Sequence, residues 1–196
     1  MLGNFAKLVI KEHVMPFNKR MILVILMLSI VAVFGIISTS NKTDENVMVE
    51  QPTTLSSKEY PQEYCLAQNI YHEARGSTLA DRAAVADVTL NRVHTSGFPS
   101  TICGVVKQAK YDKNGNPVKN KCQFSWYCDG KNKRISEETA WADAKELAWN
   151  IIHNKTYRGI TGGATHYHTA YVKPYWRKAF EPVAQIGAHI YYRPKV

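Results

Sequence analysis

The chain has 196 residues, room for one ordinary domain and an appendage but not for two full domains. Apolar residues make up 45% of it, so a packed core needs neither a metal nor a dense disulfide framework. The formal charge of +9 favours polyanions, but the basic residues are scattered and no nucleic-acid motif accompanies them, which argues against a nucleic-acid binder.

Residues 21–37 (MILVILMLSIVAVFGII) carry no charge and lack the polar face of an amphipathic core helix. Their length sits at the short end for a spanning helix. Lys7, Lys11, Lys19 and Arg20 precede them, whereas Asp44, Glu45 and Glu50 follow. The positive-inside rule then keeps residues 1–20 in the cytoplasm and sends the rest to the extracytoplasmic, periplasmic side. Ser38 and Ser40 offer a small-x-small pattern for a signal peptidase, yet the expected arrangement is an uncleaved transmembrane signal-anchor. Residues 38–58 are polar and aperiodic, the pattern of a flexible linker. The exported domain is expected over 59–196. Cys65, Cys103, Cys122 and Cys128 all follow the span, in a compartment where disulfides persist. Three pairings are open, and the absence of C-x-x-C argues against a zinc knuckle.

Pro61 is placed to open a helix near residues 62–75. Leu79, Ala83, Ala86, Leu90 and Val93 recur at helical steps, with Thr78 as N-cap and Gly97 beyond the end. Ser100 or Thr101 caps a short helix reaching Gln108. Asn114-Gly115-Asn116-Pro117 is a turn signal within a polar loop or hairpin over 110–121. Residues 123–127 (QFSWY) read as a strand or extended segment. A third long helix begins at Ser136, with Ala140, Ala144, Leu147, Ala148 and Ile151 on one face. Residues 159–163 break the chain, and 166–172 and 186–193 read as strands rich in Tyr and His. The sum is an α+β domain, helix-dominated in its first half.

The stretch Asn69 to Gly76 (NIYHEARG) sets Glu73 at the end of an apolar-leaning helix, beside Ile70, Tyr71 and Ala74. A carboxyl partly removed from water there holds its proton near neutral pH, the property a general acid needs. A surface glutamate at a helix C-terminus is the competing reading, and the macrodipole disfavours it. Gln123 and Ser125 can hydrogen-bond sugar hydroxyl or acetamido groups, and Phe124, Trp126 and Trp176 offer stacking faces. Strand alternation would send Gln123 and Ser125 to one side and Phe124 and Trp126 to the other, so the polar pair is expected to face substrate and Trp126 the core.

Five ordered blocks, CLAQNIYHEARG (65–76), ICGVV (102–106), CQFSWYCDG (122–130), THYHTAYVKPYW (165–176) and IGAHIYYR (186–193), resemble the SleB-type cell-wall hydrolases, the spore-cortex-lytic family. The resemblance covers residues 63–193. It implies a lysozyme-like, lytic-transglycosylase-like domain with a small β region, acting without a cofactor or metal. It implies that Glu73 is the catalytic acid cleaving the glycosidic bond between N-acetylmuramic acid and N-acetylglucosamine. Substrate-binding roles are expected for Arg75, Gln123, Ser125, Trp126, His166, His168, Tyr171, Trp176 and His189. The partners implied are peptidoglycan glycan strands and, through the N-terminal helix, the membrane, with the chain acting as a monomer. One departure stands out: the family often reads E-A-R-G-E, and here Ser77 replaces the last acid, expected to be harmless because Ser caps helices well.

Hydrolysis of a glycoside ordinarily uses two carboxyl groups, and Asp81, Asp87, Asp112, Asp129 and Glu181 lie outside comparable blocks. A single acid is enough for a lytic transglycosylase, which closes a 1,6-anhydro ring instead of adding water. Two rivals stand beside this reading. His166, His168 and His189 with Glu73 could hold zinc in an amidase that cuts the peptide stem, or Ser77 could mark a wall-binding module without activity.

Overall fold

The computed structural model describes residues 48–195. The expected cytoplasmic stretch 1–20, the signal-anchor 21–37 and the first part of the linker lie outside the described residues. Among the described residues no helix is long and apolar enough to cross a membrane.

Pro61 does open the first helix, α1 (Pro61–Ala74), whose start has no side-chain cap. α1 is the central element. Leu66, Ala67, Ile70 and Tyr71 are all buried, and they meet three other helices. These are α2 (Leu79–Val93), α3 (Ile102–Val106) and α4 (Glu138–His153). Thr78 caps α2 by accepting from the Asp81 N–H at 3.2 Å. Ser77 is exposed and does not cap; its N–H closes the end of α1 on the Ala74 carbonyl. Thr101 caps α3. α4 starts two residues later than the sequence suggested, and its entry is fixed by Tyr71, whose hydroxyl oxygen accepts from the Ser136 and Glu137 N–H groups at 3.1 Å each. Ala144, Leu147, Ala148 and Ile151 are buried as the periodicity required, whereas Leu79 stays exposed.

The polar stretch after α3 is a hairpin, β1 (Ala109–Tyr111) and β2 (Pro117–Cys122). Asp112 accepts the Asn114 and Asn116 N–H groups at its turn. Residues 123–127 are not a strand: Ser125–Tyr127 form a 3-10 turn. The Cys122–Cys128 disulfide brings the ends of this short segment together and leaves no room for extended backbone. The second bridge, Cys65–Cys103, ties α1 to α3. By loop-closure entropy the two contribute about 2 and about 4 kcal/mol respectively.

The C-terminal third is an antiparallel sheet ordered β3-β5-β4, from β3 (His166–Thr169), β4 (Phe180–Ile186) and β5 (His189–Pro194). Ala84 and Val88 of α2 pack against Tyr191, with Tyr167, Ala184 and Ile186 around them. α2 is therefore covered twice, by helices on one side and by this sheet on the other. Gly187, in the β4–β5 turn, has φ +53° and sits so close to the Asp81 carboxylate that a methyl group would collide with it.

Residues 48–58 are not a free linker. The Val49 carbonyl accepts from the Trp149 indole N–H at 2.9 Å and from the Asn154 amide at 3.2 Å, and Leu55 is 5% exposed in the main core. Leu55→Ala is expected to cost about 2–5 kcal/mol, read as a lower denaturation midpoint. A linker residue would leave that midpoint where it was.

Candidate active site

Glu73 sits in the last turn of α1, one helical turn after Asn69. Asn69 is fully buried and bonded through both its nitrogen and its oxygen. Its amide N–H donates to Thr89 Oγ1 of α2 at 3.1 Å, and its oxygen accepts from the Trp126 indole N–H at 2.9 Å. The Trp126 ring then stacks on His72 at 4.4 Å. This chain of contacts fixes the end of α1 against both α2 and the disulfide-closed segment.

Glu73 opens on a cavity of about 290 Å³ lined by Glu73, Arg92, Gln123, Phe124, Ser125, His166, Tyr167 and Trp176. The elements that converge there are α1, α2, the 122–128 segment, β3 and the 3-10 turn Tyr175–Ala179. Tyr167 donates its hydroxyl to Glu73 Oε2 at 3.1 Å. Burial pushes the Glu73 carboxyl above the usual range, and the Tyr167 bond and the Arg92 charge pull it part of the way back.

Arg92 is 3% exposed. Its Nε donates to the Thr165 carbonyl at 2.7 Å, and its guanidinium lies over the Phe124 ring at 4.9 Å and the Phe98 ring at 5.6 Å. Cation–π contact of this kind helps to hold a desolvated charge. His166 is held down at about 4 by burial and then by Arg92, so its ring is neutral at physiological pH. It faces the cavity as a neutral hydrogen-bonding ring, not as a cation.

Of the residues expected to form the site, the cavity gathers Glu73, Gln123, Ser125, His166 and Trp176. The polar and apolar sides of the QFSWY segment separate as expected, although by a 3-10 turn and not a strand: Gln123 and Ser125 are exposed, Phe124 and Trp126 buried. Five others lie elsewhere. Trp126 is 9% exposed and belongs to the core, since Asn69 takes its only polar atom. Arg75 pairs on the surface with Glu137 at 2.6 Å and covers the Tyr71 ring. His168 is buried; its Nδ1 donates to the Thr169 carbonyl, which leaves Nε2 to accept from the Tyr192 hydroxyl, both at 2.9 Å. His189 lies 3.6 Å from Asp81 Oδ1, and Tyr171 is fully out in solvent.

The register of the sheet disassembles the zinc set. Thr169 pairs with His189 and Tyr167 with Tyr191, so His189 shares a sheet face with Tyr167 and points away from the face carrying His166 and His168. Among the described residues no group of three or more His, Cys, Asp or Glu is assembled for a metal.

The other acids are also accounted for. Asp87 anchors the 159–161 backbone, Asp112 holds a turn, Asp129 pairs with Lys133, Glu181 pairs with Arg193 at 2.9 Å, and Asp81 packs beside His189. None lines the cavity.

Arg92 and Tyr167 were not anticipated. Arg92 continues a second stripe, Val85 and Val88, at helical spacing, and Tyr167 alternates with the two histidines that flank it.

The Cys122–Cys128 bridge encloses the three residues, Gln123, Phe124 and Ser125, that form one cavity wall. Replacing both cysteines with Ser, with Cys65–Cys103 intact, is expected to lower activity about ten- to a hundredfold through misplacement of that wall. The peptidoglycan cleavage proposed below, together with a melting curve, checks it. A fall in melting temperature with activity preserved would mean that the bridge serves stability alone.

The fold and site define a mixed helix-and-strand domain with a cavity built around a single desolvated carboxyl. The profile of the cell wall hydrolase family matches residues 76–192, and the chain belongs to that family, of SleB type; Glu73 lies just before the matched span. The spore cortex-lytic enzyme of Bacillus cereus is 28% identical over 154 residues, covering 77% of this chain and 50% of that protein. That of Halalkalibacterium halodurans is 29% identical over 129 residues, covering 64% and 33%. The chain thus spans half or less of the length of these curated relatives. Among solved structures, the catalytic domain of the germination-specific lytic transglycosylase SleB from Bacillus anthracis aligns with a TM-score of 0.51 at 26% identity, over 73% of this chain and all of that one. The catalytic domain of the Bacillus cereus SleB protein aligns with a TM-score of 0.47 at 27% identity, over 72% and 94%.

Proposed function

We propose that the chain degrades peptidoglycan as a lytic transglycosylase, with Glu73 as its general acid and base, on the extracytoplasmic side of a membrane to which residues 21–37 anchor it. The observation that carries this reading is that, among the described residues, the cavity wall contains one carboxyl and no second, and that burial favours the protonated form of that one. Inverting and retaining hydrolases need a partner carboxylate about 6.5–9.5 Å or about 5–5.5 Å away. An intramolecular route needs none.

In the first step Glu73 gives its proton to the glycosidic oxygen as the bond from the muramoyl C1 breaks. The resulting carboxylate is stabilised by the Tyr167 hydroxyl and the nearby Arg92 charge. It then takes the proton of the muramoyl 6-hydroxyl while that oxygen attacks C1, which closes the 1,6-anhydro ring and returns Glu73 to its acid form. No water is consumed and no proton is left over. Gln123, Ser125 and neutral His166 supply hydrogen bonds to the sugars, and Trp176 a stacking face.

Mass spectrometry of the muropeptides released from purified peptidoglycan tests the reading. Products ending in 1,6-anhydromuramic acid are expected. Reducing-end products one water heavier would replace the transglycosylase with a hydrolase, and free peptide stems would overturn glycosidic cleavage altogether.

A further inference from the structure

We infer that residues 170–179, the turn after β3 and the 3-10 helix that follows it, form a second binding surface that holds the glycan strand beyond the reacting sugars. Tyr171 and Tyr175 are its stacking faces, and Lys173, Arg177 and Lys178 meet the carboxylates of the peptide stems. The identity of the strand rests on the function proposed above.

Tyr171 and Tyr175 are 83% and 91% exposed, more than any other large hydrophobic side chain among the described residues, and Val172 beside them is exposed too. The 3-10 helix Tyr175–Ala179 buries none of its residues. Two aromatic rings left this exposed within five residues of one another, on a segment that also reaches a cleft, mark a contact surface.

The segment is also held firmly. The Ala170 N–H donates to the Ala188 carbonyl at 2.8 Å, Val172 to Thr169 at 3.0 Å and Arg177 to Pro174 at 3.3 Å. Pro174 fixes the entry to the helix. Trp176, next to Tyr175 in the chain, packs edge-on to Phe180, Tyr192 and His168 and so ties the segment to the sheet. Trp176 also lines the Glu73 cavity, so the segment that carries Tyr175 contributes to the cavity wall.

Charge narrows the occupant. Residues 170–180 (AYVKPYWRKAF) hold three basic side chains and no acidic one. Aromatic faces suit the C–H faces of pyranose rings, and the surrounding cations suit a strand that carries carboxylates at intervals. A membrane surface would ask for an amphipathic helix with a continuous apolar face, and a five-residue helix with two tyrosine hydroxyls in solvent does not provide one.

The test uses the full chain, kept in mild detergent, with Glu73→Gln in every sample so that binding is read without cleavage. Co-sedimentation is measured with insoluble peptidoglycan sacculi, either intact or stripped of phosphate-bearing wall polymers by acid. Adding Tyr171→Ala and Tyr175→Ala is expected to weaken binding to stripped sacculi about tenfold or more. Tyr171→Phe with Tyr175→Phe should restore it, since the rings remain. Unchanged binding to stripped sacculi would overturn the proposal, and a loss seen only on intact sacculi would overturn it in favour of a phosphate polymer. With Glu73 restored, the double Ala variant should show a higher KM on sacculi with kcat preserved; a fall in kcat alone would also count against it. Weakened binding together with an absence of anhydro products from the unaltered chain would leave the surface standing and remove the transglycosylase.

Discussion

Glu73→Gln is expected to lower glycan-strand cleavage by about a hundred- to ten-thousandfold, while the folded chain becomes no less stable. The amide keeps the volume of the side chain, and its oxygen can still accept the Tyr167 hydroxyl, but it has no proton to give to a leaving oxygen. The effect on stability follows from the direction in which burial moves the carboxyl. In the unfolded chain Glu73 loses its proton at about pH 4; in the folded chain it does so at higher pH. Its contribution is therefore fully present below the unfolded value and is lost as pH rises through the folded one. Gln suffers no such loss. The melting temperatures of the two chains should coincide in acid and separate in favour of the variant as pH rises. Retained cleavage would remove Glu73 from the mechanism. A variant less stable at neutral pH would show that the buried carboxylate is a stabilising group, the reverse of what its surroundings imply.

How much of this was legible in the sequence depends on how local the cause is. α1, α2 and α4 follow from periodicity and end signals that act within a few residues, such as Pro61 and Thr78. Glu73 was reachable because its helix turn and its apolar neighbours are consecutive. The 123–127 segment was misread for a local reason as well: its alternation has the period of a strand, but the Cys122–Cys128 bridge, one of three pairings open to the sequence, bends it into a turn. Other features have distant causes. Whether His189 joins His166 and His168 is decided by the pairing of Thr169 with His189, twenty residues apart in the chain. Arg92 continues the Val85 and Val88 stripe of α2, but that this second face is covered by the sheet is decided by residues about a hundred positions later, such as Tyr191. Trp126 serves the core, as its place in the alternation suggested, but the buried Asn69 that takes its N–H comes from 57 residues earlier.

The proposed single-carboxyl mechanism asks one group to be a good acid and, a moment later, a competent base. The cavity answers with opposed influences on Glu73: burial favours the acid form, while the Tyr167 hydroxyl and the Arg92 charge favour the carboxylate. Neither influence alone would serve both steps. Burial without the donors would leave a carboxylate too costly to form, and the donors without burial would leave an acid too weakly protonated near neutral pH.

Tyr167→Phe separates these influences, because it removes one hydroxyl and keeps the ring that packs against His189 and Tyr191. With its donor gone, the carboxylate form of Glu73 loses a charge-assisted hydrogen bond, and the carboxyl should move still further above the usual range. The alkaline limb of kcat/KM, set by loss of the Glu73 proton, is then expected to shift to higher pH. The plateau should fall about ten- to a hundredfold, the usual worth of a hydrogen bond to a charged group. These two changes have opposite effects above the wild-type midpoint, so the variant's deficit should shrink as pH rises. Tyr167 itself does not titrate in this range, since burial pushes its hydroxyl far upward. A purely structural role would lower the rate evenly at every pH and leave the midpoint where it was. That flat profile would detach Tyr167 from Glu73 and leave burial and Arg92 to set the acid alone.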